Sequence, residues 1–157
     1  MSPSLLQDLR QNKPFSSLQQ EAHLSVVRTA SALTDQVEDL LKPYGISSTQ
    51  YNVLRILRGA GDEGLCRNEL RDRMLTRMPD MTRLLDRMEE AGLVTRARER
   101  DDRRMVLTRI TARGLELLGE LDRPVTELHR DQLARLTDEQ LRSLIDLLRV
   151  VREGKSG

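Results

Sequence analysis

The sequence predicts a mainly α-helical fold with a small β-hairpin wing, a winged helix-turn-helix flanked by N- and C-terminal helices suited to dimerisation. Three observations predict it. Apolar residues recur at steps of three and four through most of the chain, as an amphipathic helix requires. One stretch departs from that rhythm: residues 93–98 and 104–110 are rich in Val, Thr, Leu and Ile with partial alternation, and the charged turn 99–103 lies between them. The positive charge is concentrated there and in the helix before it. Residues 67–113 hold 13 Arg and no Lys against 9 Asp and Glu, a local charge of +4 in a chain whose net charge is +1.

Residues 1–15 read as an N-terminal arm. Ser4 and Gln7 have the spacing of a helix cap over Leu5, Leu6 and Leu9, the alternative being a segment without fixed structure. Residues 16–46 form an N-terminal dimerisation element whose helix spans 16–41. Ser16–Gln19 and Ser17–Gln20 both have capping-box spacing, and Leu18, Ala22, Val26, Leu33, Val37 and Leu40 form a stripe. Pro43 and Gly45 end it.

Residues 47–110 read as the winged helix-turn-helix. Its first helix, 47–58, opens on the pair Ser47–Gln50 and buries Tyr51, Leu54 and Leu57, with Val53 and Ile56 widening the face. The glycine-rich segment 59–64 is a loop. A short helix over 65–74 faces Leu70 and Met74 inward. A brief turn leads to a helix over 79–91, with Pro79 in its first turn and Asp80 at the positive end of its dipole. Met81, Leu84, Leu85 and Met88 share its inner face, and Thr82, Arg83, Asp86 and Arg87 its outer one. Gly92 follows in the place of a left-handed helix stop. A two-stranded basic hairpin completes the unit.

Residues 111–157 read as C-terminal dimerisation helices, one integrated domain with the rest. Thr111 caps a long helix whose apolar positions are Leu115, Leu118, Leu121, Val125 and Leu128. Pro124 is expected to kink or break it. Thr137 with Gln140 caps the last helix, where Leu141, Leu144, Leu148 and Val151 form a narrow seam fit for a partner helix.

Composition excludes several classes. Charged residues make up 32% of the chain and aromatics 2%, so Leu and Met fill the core. One cysteine, Cys66, permits no internal disulfide. No apolar run reaches membrane-span length and no signal-peptide pattern opens the chain, so a cytoplasmic protein with no membrane association is expected. His23 and His129 lack second ligands at metal spacing, and no metal or cofactor is expected. No adjacent nucleophile and base, and no phosphate-cradling glycine loop, are present, so the chain is not read as an enzyme.

Asp102-Arg103-Arg104, five further residues, Ile110-Thr111, two residues and Gly114 resemble the wing signature of the MarR family of bacterial transcription regulators. The run TRLLDRME at 82–89, followed by Gly92-Leu93-Val94, resembles that family's recognition helix and its exit. The resemblance covers about residues 18–150. It implies a homodimer that binds a pseudo-palindromic double-stranded DNA operator, most often as a repressor released by a small-molecule effector or by oxidation. Matched residue by residue, it places Thr82, Arg83 and Arg87 on the DNA-facing side of the recognition helix and Arg77 and Asp80 at its entry. Arg103 and Arg104 fall at the wing tip, with Asp102 set to orient one of them through a charge-assisted hydrogen bond.

Each of these residues has a plainer alternative. Arg103 and Arg104 suit a solvated turn, and Arg83 and Arg87 suit pairs with Asp80, Asp86 or Glu90 along the helix. Cys66 is a redox sensor if its thiolate is stabilised, and otherwise a small buried or capping residue. Arg28, Tyr44 and Tyr51 are candidates to line an effector cleft, or else ordinary core and surface residues. The whole chain has an alternative too: a winged-helix protein–protein interaction module without specific DNA binding.

Overall fold

The computed structural model of the protein describes residues 4–154. The first three residues of the expected arm and the last three of the expected C-terminal segment lie outside them. The chain divides into two compact units, Met1–Gly119 and Glu120–Gly157.

The first unit opens with the one-turn helix α1 (Leu5–Asp8), capped by Ser4 and Gln7. The long helix α2 (Leu18–Leu41) starts two residues later than the sequence suggests. Of the two overlapping boxes, Ser17 supplies the cap: its hydroxyl accepts from the Gln20 amide, and the Gln20 side-chain carbonyl accepts from the Ser16 amide at 2.7 Å. A turn of 3-10 helix over Lys42–Tyr44 leads to α3 (Ser48–Ala60). Here Ser47 and Gln50 exchange bonds as a full box, satisfying amides that the first helical turn leaves unpaired. The Glu38 carboxylate accepts from both the amide and the hydroxyl of Ser48, tying α2 to the start of α3.

The sheet has one more strand than expected. Residues Leu65–Cys66 are extended, not helical, and form β1, ahead of α4 (Arg67–Asp72), α5 (Met81–Glu90), β2 (Val94–Arg98) and β3 (Val106–Ile110). The antiparallel order is β1-β3-β2, with Leu65 opposite Thr108 and Arg96 opposite Thr108 from the other side. A two-residue strand is too short to show alternation, so only the partner β3, far away in sequence, defines it. Thr108 is buried between its two neighbours, at 1% exposure.

Leu41, Val53, Leu54, Leu57, Leu70, Leu85, Met88, Val94 and Leu118 are the most deeply buried apolar residues of this unit. Gly92, with φ of +74°, lets the chain reverse from α5 into β2. Thr111 then fastens the base of the wing. Its hydroxyl donates to the Gly92 carbonyl at 2.7 Å and accepts from the Gly114 amide at 3.1 Å, which caps the next helix, α6 (Ala112–Gln132).

The second unit holds the rest of α6 and α7 (Asp138–Glu153). Pro124 does not break α6, which runs on to Gln132. The proline forfeits only its own amide bond four residues back, and the helix continues with Thr126 donating to the Asp122 carbonyl at 2.7 Å. Thr137 and Gln140 cap α7 as a full box. Leu141, Leu144 and Leu148 of its seam are half-buried, whereas Val151 is exposed, as are Ile145, Leu147 and Val150 elsewhere on the helix.

Candidate nucleic-acid interface

Helix α5 is the centre of the arginine-rich region. Asp80 is its N-cap, accepting from the Arg83 amide at 3.1 Å, so the acidic side chain is occupied at the positive end of the helix dipole. Pro79 accordingly stands before the cap and not in the first turn, a correction of one turn-position to the expected 79–91 helix. The turn before it is held by the side-chain carbonyl of Asn52, which accepts from the Leu75 amide at 2.8 Å. Arg77 is exposed in that turn.

The inner face of α5 is apolar: Met81, Leu85 and Met88 are buried. The outer face is sorted by charge. Asp86 and Glu89 do not pair with the arginines of their own helix. Both accept from Arg96 Nη2 on β2, Glu89 at 3.1 Å, and Glu89 also takes the Arg96 amide at 2.9 Å. The hydrogen bond from the Arg96 side chain holds the Glu89 carboxyl below the usual carboxylate range. Partial burial works against the Arg96 charge, but the bonds to Asp86 and Glu89 outweigh it and raise its pKa. Arg83 and Arg87 are exposed and form no ion pair with a described residue. Thr82 is also exposed, and its hydroxyl oxygen accepts from Arg67 Nη1 of α4 at 3.0 Å.

The wing loop between β2 and β3 is closed by the Glu99 amide donating to the Met105 carbonyl at 2.9 Å. Asp102 acts differently from expectation. Its carboxylate accepts from the backbone amide of Arg104 at 3.0 Å, so it shapes the turn and does not hold an arginine side chain. Arg98 Nη1 donates to the Arg103 carbonyl at 3.4 Å and braces the same turn. The side chains of Arg103 and Arg104 remain exposed at the tip. Not every arginine of the region is so placed: Arg109 donates through Nε to the Asp62 carbonyl at 2.7 Å, and Arg96 is held as above.

A groove of about 320 Å³ separates the start of α4 from the wing, with Cys66, Arg67 and Asn68 on one side and Asp102, Arg104, Met105 and Val106 on the other. Cys66 is half-buried and caps α4. Its amide donates to Glu69 at 3.0 Å, and that bond holds the Glu69 carboxyl below its ordinary range. Arg28 is exposed on α2 and Tyr44 half-buried, whereas Tyr51 is a core residue whose hydroxyl accepts from Arg55 at 3.3 Å. No hydrogen bond among the described residues joins Arg28, Tyr44 and Tyr51 to one another.

Arg67, Arg96 and Asn52 are the residues sequence reasoning missed. Arg67 meets Thr82 across 15 positions and Asn52 meets Leu75 across 23, separations at which no local pattern operates.

Comparison with known proteins gives concordant results. The sequence model described as MarR family matches residues 44–105. The crystal structure of a MarR transcription factor from Planctomyces limnophilus is 39% identical, over 87% of this chain and 99% of that one, with a TM-score of 0.67. Sco3205 of Streptomyces coelicolor, a MarR family transcriptional regulator crystallised in complex with DNA, is 26% identical over 94% of both chains, with a TM-score of 0.79. The transcriptional repressor IacR of Pseudomonas putida is 29% identical over 80% of this chain and 74% of its own length.

Proposed function

Because the chain belongs to the MarR family, whose members compared above are transcription regulators, we propose that it regulates transcription as a homodimer on a pseudo-palindromic duplex operator. The observation that carries the reading is the sorting of charge on α5. Asp86 and Glu89 are drawn back to Arg96, which leaves Arg83 and Arg87 exposed without carboxylate partners among the described residues. Buried or paired arginines would be structural; unpaired ones on a helix of this kind suit phosphates and guanine edges.

In this reading residues 47–110 are the DNA-binding lobe, and 16–46 with 111–157 supply dimerisation. Helix α5 enters the major groove with Thr82, Arg83 and Arg87. Arg77 and Asp80 lie at its entry, and Arg103 and Arg104 on the Asp102-shaped turn reach the flanking minor groove. Half-sites lie about one helical turn, roughly 10 base pairs, apart. Repression, the activity in IacR's name, is the proposed direction of control. Release by a small molecule requires that it bind the DNA-competent and incompetent states with different affinity. Arg28, Tyr44 and Tyr51 are the residues to vary first in an effector search, and Tyr44, half-buried, suits the role better than core Tyr51. A protein that acts on genomic DNA works in the cytoplasm of a bacterium.

The test is fluorescence anisotropy on duplex from upstream of the protein's own gene, against an unrelated duplex, at several salt concentrations. If each protomer neutralises about four phosphates, log affinity falls against log salt with a slope near about −7. Preferential binding with a steep slope supports the reading. No binding to either duplex at low salt overturns it in favour of a protein-interaction module.

A further inference from the structure

We propose that Arg67 and Thr82 form a single reading unit in which Arg67 fixes the Thr82 hydroxyl as a hydrogen-bond donor to the operator. The proposal rests on the reading that α5 lies in the major groove.

A guanidinium has five N–H donors and no acceptor, so in its 3.0 Å contact with Arg67 Nη1 the Thr82 oxygen must be the acceptor. A threonine hydroxyl has one proton of its own to give. Two other helical threonines spend it within the helix: Thr34 donates to the Ala30 carbonyl at 2.8 Å and Thr126 to the Asp122 carbonyl at 2.7 Å. Thr82 stands in the first turn of α5, directly after Met81, and its hydroxyl donates to no described residue. Its proton is therefore left for a partner outside the chain, while one lone pair is occupied by a cation. An unassisted threonine rotates to accept or donate and discriminates weakly. One held by Arg67 favours acceptors, because an amine approaching the second lone pair of the oxygen meets the positive charge of the guanidinium already bound to the first.

This has a specific consequence for the base it faces. Guanine offers O6 and N7, thymine O4, and adenine N7 beside its amine. Cytosine offers only the N4 amine, a donor, in the major groove. The unit thus favours guanine, thymine or adenine on the contacted strand over cytosine. Arg67 contributes from α4, the helix before α5, so specificity at one position is set by a residue outside the recognition helix. Arg67 also lines the groove against the wing, which keeps its remaining donors near the DNA path.

The experiment is selection of duplexes from a pool randomised over about two helical turns. It uses the full chain and its T82V, T82S, R67A and R83A variants, with circular dichroism to confirm that each folds. Wild type is expected to enrich a half-site with one position from which cytosine is depleted about three- to tenfold, the worth of one hydrogen bond. R67A readmits cytosine at that position and leaves the other positions as they were. T82S keeps the depletion and T82V loses it. An R67A profile that still excludes cytosine, or that loses affinity evenly across all sequences, overturns the proposal, since Arg67 would then be a structural or phosphate contact. So does a T82V profile equal to wild type. Failure of the underlying reading looks different: wild type then enriches no sequence, and R83A binds the pool as wild type does.

Discussion

At the scale of single residues, the proposed DNA contact turns on which arginines are already occupied. Arg96 and Arg109 are held by carboxylates or a carbonyl, and Arg98 braces the wing turn. Among the described residues Arg103 and Arg104 are held through their backbones, by Arg98 and Asp102, so the tip is shaped while its side chains stay exposed. Replacing both by Ala is expected to lower duplex affinity by about tenfold or more and, with four arginines removed from a dimer, to flatten the salt slope by up to about 3.6, with oligomeric state unchanged in sedimentation. Unchanged affinity would remove the wing from the interface. The sequence showed which residue types gather here. It did not show that Asp102 bonds to a backbone amide, because a carboxylate beside two arginines suits either partner equally.

At the scale of elements, α5 and the wing are joined by the Arg96 link to Asp86 and Glu89 and by the Gly92–Thr111–Gly114 clasp. The first is pH-sensitive. The Glu89 carboxyl is depressed in the folded chain by its bond from Arg96, so its contribution is present above the unfolded carboxylate range and is lost as pH falls through the folded value. Urea midpoints followed from neutral pH to below about pH 4 should fall more steeply for wild type than for E89Q. Parallel curves would show that the link adds nothing to stability. The second device leaves no room for a side chain. A Cβ on Gly114 would stand 2.6 Å from the Leu93 carbonyl oxygen and 2.7 Å from Ile110 Cγ1. G114A is expected to cost about 1–3 kcal/mol in chemical denaturation, through overpacking at the wing base. A cost near zero would mean the backbone there shifts freely.

At the scale of the whole molecule, several large apolar side chains are uncovered in the single chain. Leu18, Val26 and Val27 are exposed on α2, and Ile145, Leu147, Val150 and Val151 on α7, with Leu147 at 66% and Val151 at 68%. Apolar surface of that extent on helices at both ends of a chain is the expected mark of self-association. Leu147→Glu combined with Val151→Glu, one helical turn apart, should shift sedimentation from dimer to monomer and weaken operator binding about tenfold or more, since one half-site then binds alone. A wild-type monomer, or a variant that remains dimeric, would remove these α7 positions from the proposed interface.

What the sequence determined by itself were the elements whose signals are local. Capping boxes at Ser47 and Thr137, the three-and-four spacing of Met81, Leu85 and Met88, and the glycine after α5 act within one or two helical turns, and they mark these helices in order. Family membership was legible for the same reason, because the wing and recognition-helix motifs are contiguous. Only the tertiary structure decided which charges pair. It recruited Leu65 and Cys66 into the sheet, set Arg67 on Thr82, and turned Asp86 and Glu89 toward Arg96. These contacts join positions from different elements, and hydrogen-bond geometry, not residue type, selects among many carboxylates and arginines of equal charge.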